Sequence, residues 1–379
     1  MILSKKVFVF SSIALVIVLV LWGIYNLSFR EIPEQLATLK SQDPSLSTAP
    51  QNIAAIEPLT DEAVLSPALS PDGASIRYYS KTNGKAYVIN LSDRDQRVIS
   101  EKELIGLSDI IWSPDRSKVI SEFSTASGRS KFFLYDYAQN KGTQLKDNLD
   151  TVVWQNNEKL FYKYFDAKTQ ERTLNFADPD SSNWQKITDL AMKDLLIAPI
   201  PRTSLVSFWN KPDAFTETLM QSSPVLGGEK REIVKGKYGA DYLWSQDGNS
   251  LLVGSVDSKG GSKLQLGVTN SLGGEYRNLG IPTLVSKCAW SKNNKSIYYA
   301  LPGAIPTSGT ILPNDYLAGK FRTNDTFWKI DIATGEKSRL VDLEKITTAY
   351  DAADLFLDPD ESLLFFTNQI DGKLYKITL

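Results

Sequence analysis

One four-residue pattern recurs seven times along the chain and constrains its fold more than any other feature. Each copy is a turn between two apolar runs, as in SPDR at 113–116, which follows IIW at 110–112. The quartets begin at positions 70, 113, 155, 200, 245, 291 and 358, so the spacings are 43, 42, 45, 45, 46 and 67. A period in the forties, built from short β-rich runs, is typical of a β-propeller with four strands in each blade.

The chemistry of the quartets explains why they recur. Proline at the second position favours a type I turn, and Asp or Asn at the third, present in six of the seven, can accept hydrogen bonds from nearby backbone N–H groups. We interpret each quartet as the bend between the first and second strands of a repeat, and we number the repeats units one to seven. A ring of cation-binding carboxylates is the alternative, disfavoured because the turns are spread around the ring. Tryptophan precedes four quartets and is expected to pack between blades: Trp112, Trp154, Trp244 and Trp290.

The two ends of the repeat region complement each other. Unit seven reaches Leu379 after only three strand-like runs, whereas IEPLTD at 56–61 is a spare run that resembles QKITDL at 185–190. The predicted fold is therefore all-β. It is a seven-bladed β-propeller of four-stranded blades at 56–379, with the last blade closed by the N-terminal strand, after one N-terminal transmembrane helix. Closure of this kind ties the ends of the ring together and hides strand edges.

An uncharged apolar segment, Val7–Tyr25, precedes the repeats. Its nineteen residues are long enough to cross a hydrocarbon core of roughly 30 Å. Lys5 and Lys6 precede it, so the positive-inside rule places residues 1–6 in the cytoplasm and the rest outside. The sequence predicts a membrane anchor at 7–28, a linker at 29–55 and an extracytoplasmic domain. A cleaved signal peptide is the alternative, disfavoured by the long apolar region and the lack of an A-x-A-like site.

Composition excludes several classes of function. The chain has no histidine and one cysteine, which excludes Ser-His-Asp and Cys-His catalysis, zinc sites rich in these residues, and intramolecular disulfides. The chain has 42 basic and 44 acidic residues, so it carries no net positive charge that would attract nucleic acid. No phosphate-binding or dinucleotide motif is present, and no cofactor is predicted. Cys288, in an apolar run, is expected to be a buried small residue.

One acidic stretch could hold a metal. Asp178, Asp180 and Asn183 carry the oxygen ligands that calcium prefers. A surface turn explains the same residues, and it is the favoured interpretation. No metal site is therefore predicted.

The WSPDG-like turn, followed by a β run and an aromatic-rich third strand, resembles the TolB-type propeller repeat, also known as PD40. The resemblance covers residues 56–379 and is weakest in unit four, where IPRT at 200–203 lacks the acidic residue. It implies a propeller fold and, by analogy alone, a role at the cell envelope. The chain departs from TolB, which has six blades and an N-terminal domain in place of an anchor. The WD40 family fits less well, because no Trp-Asp dipeptide or Gly-His pair occurs.

The spacing of 67 residues locates an insertion, 302–325, between the second and third strands of unit six. Long loops in compact domains are usually functional or disordered, and aromatic and Arg side chains on a proline-stiffened loop suit a protein contact or a ligand lid. The alternative is a loop that folds back over its own blade. The candidate binding residues are Asp315, Tyr316, Lys320, Phe321, Arg322 and Asp325.

Two functions remain open at this point. The favoured one is a membrane-anchored scaffold that binds a protein partner or a cell-envelope polymer through one face and the insertion. The alternative is a hydrolase or lyase that acts on an extracellular glycan or peptide through carboxylates at the mouth of the channel. No catalytic residue is assigned, because the sequence does not show which carboxylates face the channel.

Overall fold

The computed structural model describes residues 55–125 and 128–379, and this part of the chain is almost entirely β-structure. Besides strands it contains one α-helical turn, α1 (Asn314–Leu317), and two 3-10 turns, Val285–Lys287 and Leu343–Lys345. The strands, in chain order, are β1 (Ile56–Pro58), β2 (Val64–Leu69), β3 (Ser75–Ser80), β4 (Ala86–Asn90), β5 (Gln96–Ser100), β6 (Leu107–Trp112), β7 (Lys118–Ser124), β8 (Ser130–Asp136), β9 (Lys141–Gln144), β10 (Leu149–Asn156), β11 (Lys159–Asp166), β12 (Glu171–Ala177), β13 (Gln185–Leu190), β14 (Leu195–Pro199), β15 (Leu205–Asn210), β16 (Glu217–Pro224), β17 (Arg231–Trp244), β18 (Ser250–Val256), β19 (Leu264–Asn270), β20 (Arg277–Ile281), β21 (Cys288–Trp290), β22 (Ser296–Leu301), β23 (Thr326–Asp331), β24 (Lys337–Arg339), β25 (Ala352–Leu357), β26 (Leu363–Asn368) and β27 (Leu374–Thr378).

The sheets follow the repeats of the sequence. Four of them each consist of four consecutive antiparallel strands: β2–β5, β6–β9, β10–β13 and β21–β24. Strands β14–β20 form one seven-stranded sheet, because the long strand β17 belongs to two units. Its first half, residues 231–238, pairs with β16, and its second half, residues 238–244, pairs with β18. The strand thus ends unit four and begins unit five.

The last sheet joins the two ends of the described chain, as the sequence predicted. Its order is β1-β27-β26-β25, and Ile56 lies opposite Ile377 in the antiparallel register. The Thr60 hydroxyl accepts a hydrogen bond of 3.0 Å from the Leu374 backbone N–H, which extends the pairing beyond β1. The edge of β27 is therefore covered by the N-terminal strand.

The quartet turns have the structural role expected of them. In unit two the Ser113 hydroxyl donates to the Asp115 carboxylate (2.7 Å) and accepts from the Lys118 N–H (2.9 Å), and Asp115 also accepts from the Ser117 N–H (3.0 Å). The quartets at 70, 245 and 291 make the same three bonds. The oxygens of these side chains are occupied within each turn, which closes the bend between the first two strands.

Quartets of successive units touch one another. The Gln246 N–H donates to Asn294 Oδ1 (2.9 Å), and the Asp115 N–H donates to Asn157 Oδ1 (3.0 Å). These bonds join units five and six and units two and three. The turns therefore lie on a common face, which we call the quartet face. The opposite face, called the insertion face, carries the connections between second and third strands and those between units.

The tryptophan column packs between units, as predicted. The Trp112 indole N–H donates to the Ser66 carbonyl (2.8 Å), and the Trp290 indole N–H donates to the Leu243 carbonyl (3.1 Å). Both rings are buried, and each acceptor lies on the first strand of the preceding unit. The first strands enclose a cavity of about 560 Å³ that opens towards the quartet face. Among the residues that line it are Ala68, Leu243, Ala289 and Phe356, one from each of four units.

The predicted anchor at 7–28 and most of the linker at 29–55 lie outside the described residues. Within 55–125 and 128–379, no helix has the length and apolar character needed to cross a membrane.

Candidate functional site

The insertion packs against the neighbouring unit five and also contacts Lys287 of its own unit six. Leu312 and Tyr316 pack in a buried apolar cluster with Val256 and Leu264, which belong to β18 and β19. Asn314 adds polar contacts with unit four: its side chain accepts from the Ala214 N–H (2.8 Å) and donates to the Asp213 carboxylate (2.8 Å), and both partners lie between β15 and β16. The insertion is thus held to the propeller body by apolar and polar contacts.

A buried ion network fixes the end of the insertion. The Lys287 ammonium lies 2.6 Å from Asp325 Oδ2 and 2.6 Å from Asp351 Oδ1, and all three side chains are fully buried. Lys287 also donates to the Thr323 hydroxyl (3.1 Å), and the Tyr316 hydroxyl donates to Asp351 (2.7 Å). The network joins the insertion to the segments that precede β21 and β25. One oxygen of each carboxylate lacks a hydrogen-bond partner among the described residues.

Burial acts to raise the pKa of both carboxyl groups in this network, but the net shifts have opposite directions. Burial raises the pKa of Asp325, and the Lys287 ammonium offsets this only in part. Burial acts in the same direction on Asp351, but Lys287, together with hydrogen bonds from Tyr316 and Thr323, outweighs it and lowers the pKa. Lys287 lies at the same distance from both carboxylates and is the cation that they share.

The candidate binding residues divide into a buried and an exposed set. Tyr316 and Asp325 are buried in the contacts described above, and Asp315, also buried, accepts a hydrogen bond from the Ile311 N–H (2.8 Å). Lys320 and Arg322 are exposed, while Phe321 is half-buried with its ring 5.9 Å from that of Tyr316. Leu317, which the sequence did not single out, is 58% exposed beside them. The surface that the insertion presents therefore consists of Leu317, Lys320, Phe321 and Arg322, called here the insertion surface.

A second group of polar side chains lies on the first strands. The residue four positions before each quartet is, in chain order, Ser66, Asp109, Thr151, Leu196, Asp241, Lys287 and Asp354. A β-bulge interrupts the pairing of the first and second strands at this position in units one and seven, and directly before it in units two, three and five. Ser66 and Asp354 have positive φ angles of 49° and 54°. Bulges re-aim side chains and are over-represented beside active sites.

Asp109 of unit two and Asp354 of unit seven are exposed carboxylates of this column whose charges interact, and we call them the Asp109–Asp354 pair. The Ser66 hydroxyl donates to Asp109 (2.8 Å), which brings units one and two together here. Burial raises the pKa of Asp354, the Asp109 charge raises it further, and Lys81 opposes the rise. Both carboxylates are nevertheless reached by solvent. They are candidates for the channel-mouth carboxylates that the sequence left unassigned.

The other acidic member of the column, Asp241, is held differently. Its carboxylate accepts hydrogen bonds from the Trp209 indole N–H (3.0 Å) and the Tyr242 N–H (3.0 Å). Burial raises the pKa of Asp241, and both hydrogen bonds oppose the rise. Asp241 is bonded to Trp209 of unit four and to its own strand, and it is less exposed than Asp109 and Asp354, so it is less available to a ligand.

The remaining residues that the sequence singled out lie in a surface turn or in the core. Asp178 pairs with Lys159 and accepts a hydrogen bond from Asn183, while Asp180 accepts from the Ser182 N–H (2.9 Å), so the acidic stretch at 178–183 forms a surface turn. Cys288 is buried, as expected, and burial raises the pKa of its thiol. Within the described part of the chain, no group of three or more acidic or cysteine side chains is placed to hold a metal ion.

Comparisons with known proteins identify the fold. The chain is similar to an oligogalacturonate lyase in complex with manganese (15% identity, 87% of this chain and 94% of that chain, TM-score 0.61). It is also similar to the β-propeller domain of the Trilobed protease from Pyrococcus furiosus (13% identity, 86% and 93%, TM-score 0.54). TolB from Acinetobacter baumannii matches over 57% of this chain and 54% of that chain, with 14% identity and a TM-score of 0.43. No family model and no curated protein matches the chain. The protein has a β-propeller fold.

Sequence reasoning missed the column of residues four positions before the quartets. The signal was present, because aligning the quartets places three aspartates and one lysine in that column. What the alignment does not show is the direction of these side chains. Lys287 occupies the same column as Asp354 but is fully buried, whereas Asp354 is exposed.

Proposed function

We propose that this protein is a binding scaffold that recognises a protein or a cell-envelope polymer through its insertion face. One observation carries the proposal: a fully buried network around Lys287 holds the insertion in place, while Leu317, Lys320 and Arg322 remain exposed. A surface that is rigid before binding loses little conformational entropy when a partner docks. Arg322 and the half-buried Phe321 are of residue types that are enriched at protein contact surfaces.

The proposal includes the finer architecture predicted from the sequence. In this proposal the propeller has seven four-stranded blades, with β17 counted in both of its units. The apolar segment 7–28 would anchor this seven-bladed ring to a membrane, with residues 1–6 in the cytoplasm and the propeller outside. In that arrangement the propeller presents its insertion face to extracytoplasmic partners.

Affinity capture from native membranes tests the scaffold function. The tagged full chain is compared with the variant Leu317→Ser, Lys320→Gln, Arg322→Gln, which changes only exposed side chains. Because Arg322 Nε lies 3.9 Å from Asp351 Oδ2, thermal unfolding of the variant is first shown to match that of the parent. The matched control, Leu226→Ser, Lys230→Gln, Arg231→Gln, alters the same residue types at exposed positions on the quartet face. We expect a partner captured by the parent and the control and lost by the insertion variant. Equal capture by all three proteins would refute the role of this surface.

A second function is favoured by the Asp109–Asp354 pair. Two carboxylates with different environments can divide the tasks of acid and base, as glycoside-cleaving enzymes do without histidine. The structural relative named above is an oligogalacturonate lyase, so an acidic glycan is the first substrate to consider. The fold likeness by itself does not supply a catalytic site.

The enzyme hypothesis has its own test. The purified chain and the variants Asp109→Asn and Asp354→Asn are incubated with acidic and neutral oligosaccharides and peptides, and products are followed by mass spectrometry. Asp241→Asn is the matched control, since Asp241 belongs to the same column but is held by Trp209. Cleavage that both pair variants abolish and the control retains would support catalysis. Cleavage unaffected by either pair variant would exclude these residues.

A further inference from the structure

A cleft lies on the insertion face between the sheets of units two and three. Its volume is about 850 Å³, which is within the usual size of a small-molecule site. It is formed by Thr125, residues 128–131 at the start of β8, the connection from β9 to β10 and the end of β11. The side chains that define its chemistry are Arg129, Lys131, Asp147, Asp150, Arg172 and Lys193.

The charges in this cleft do not cancel. Four cationic side chains face two carboxylates, which leaves an excess of two positive charges. Arg172 is neutralised by Asp150, with Nε 3.1 Å from Oδ2, and its guanidinium stacks over the Phe165 ring at 4.3 Å. Arg129 donates only to the neutral Asn148 amide (3.3 Å). Three cations, Arg129, Lys131 and Lys193, thus have no carboxylate within 4.0 Å among the described residues.

The wall that carries Lys193 is rigid. The buried Lys163 ammonium donates to the backbone carbonyls of Lys193 (2.7 Å) and Leu195 (2.9 Å). These bonds fix the chain just before β14 and keep the Lys193 side chain at the rim, where it is exposed. Burial lowers the pKa of Lys163 to about 8. A buried lysine that orders the backbone of a cleft is a supporting element for a site on the surface above it.

We propose that this cleft binds a small ligand that carries an oxyanion, either a carboxylate or a phosphate. Arginine forms paired hydrogen bonds with such groups, and lysine adds a mobile point charge. The ion pair Arg172–Asp150 and the Phe165 ring form one polar and aromatic wall, and the unpaired cations face it. This site uses no residue of the insertion surface or of the Asp109–Asp354 pair, so it stands whether or not either function of those residues is correct.

Calorimetric titration of the purified full chain tests the site, with glucuronate and inorganic phosphate as probes. Glucose is the neutral counterpart of glucuronate and differs from it by lacking the carboxylate. The cleft variant is Lys131→Gln, Lys193→Gln, and the matched control is Lys259→Gln, Lys263→Gln, which removes two exposed lysines elsewhere. Thermal unfolding of all variants is recorded first, and we expect them to unfold like the parent.

We expect at least one anionic probe to bind the parent and the control, with affinity that falls as salt is added. The cleft variant should lose about tenfold or more in affinity, and glucose should not bind. Binding of only one probe assigns the oxyanion as carboxylate or phosphate and supports the site. The proposal is overturned if neither probe binds at about 10 mM, if glucose binds as well as glucuronate, or if the cleft variant keeps the affinity of the parent.

Discussion

Lys287 and Asp351 are 64 positions apart in the sequence, yet the ammonium of one lies 2.6 Å from the carboxylate of the other with both side chains fully buried. Each residue directly precedes a first strand, β21 in unit six and β25 in unit seven. The insertion supplies the second carboxylate, Asp325, and the hydroxyl groups of Thr323 and Tyr316. The contact therefore links two adjacent units and the longest loop of the propeller at one point.

Replacement of Lys287 by methionine should destabilise the propeller strongly. The variant would leave Asp325 and Asp351 buried without their cation, a change that costs about 3–5 kcal/mol in comparable buried pairs. The free energy of unfolding is measured by urea titration. Lys259→Met, at an exposed position, is the control and should change this free energy by less than about 0.5 kcal/mol. If Lys287→Met also unfolded like the parent, the network would contribute little to stability.

The quartet carboxylates should make stability depend on acidic pH. A hydrogen bond from Ser245 lowers the pKa of Asp247 below its ordinary 3.8. A carboxyl group whose folded pKa is lower stabilises the fold above its unfolded pKa, and this stability is lost as the pH falls through the folded pKa. Asp247→Asn should remove its share of this dependence below about pH 4 and remain within about 1 kcal/mol of the parent at pH 7.

Asp247→Asn should stay stable at pH 7 because unit six already has an asparagine, Asn293, at the equivalent position. Its side-chain oxygen accepts the same bonds, from the Ser291 hydroxyl (2.8 Å) and the Lys295 N–H (2.9 Å). Asp247→Ala is the contrasting variant, because it loses these bonds and should be less stable at every pH. Denaturation curves between pH 2 and pH 7 make the comparison. If the free energy of unfolding depends on pH in the same way for the parent and for Asp247→Asn, this carboxylate does not contribute to the loss of stability in acid.

Removal of residues 51–60 should destabilise the whole propeller and not one sheet alone. The deletion removes β1, exposes the edge of β27 and takes away the Thr60 bond to Leu374. Since this strand closes the last sheet, we expect one cooperative thermal transition at a lower temperature, followed by far-ultraviolet circular dichroism and by tryptophan fluorescence. Deletion of residues 41–50, an equal length of the predicted linker, is the control. Coincident melting curves for the two deletions would mean that the closure does not support the ring.

The coupling of Asp109 and Asp354 predicts opposite effects of two substitutions on one pKa. Asp109→Asn removes a negative charge and should lower the pKa of Asp354, whereas Lys81→Gln removes a positive charge and should raise it. Carboxyl carbon chemical shifts, followed by NMR titration of labelled protein, report the pKa directly. An Asp354 pKa that moved in the same direction in both variants, or in neither, would show that the two groups are not electrostatically coupled.

The repeat architecture was predictable because the turns that mark it are local. The bend at Ser113, Pro114 and Asp115 is closed by hydrogen bonds between residues no more than five positions apart. The local sequence is therefore enough to predict it. The pairing of Ile56–Pro58 with β27 was also predictable, since an incomplete last unit and a spare first run leave one way to complete the sheet. The sharing of β17 between units four and five was not apparent, because a continuous strand gives no turn signal at the junction.

The sites were less predictable than the strands. The insertion was located by its length, but the alternation of buried Tyr316 and exposed Lys320 depends on contacts with Val256 and Leu264, far away in the sequence. The directions of the Asp109 and Asp354 side chains depend on bulges in their strands. The alternation of apolar and polar residues along a strand does not indicate where a bulge will form.

The sequence by itself determined the all-β repeats, the position of each turn, the strand that completes the last sheet and the place of the insertion. These features depend on backbone preferences and hydrogen bonds within a few residues, or on a period that can be counted. Only the tertiary structure decided which equivalent residues are functional candidates, because Lys287 and Asp354 occupy the same column of the repeat. Asp325 of the insertion and Asp351, just before β25, hold Lys287 between two buried carboxylates, whereas Asp354 lies at a bulge, open to solvent and near a second negative charge.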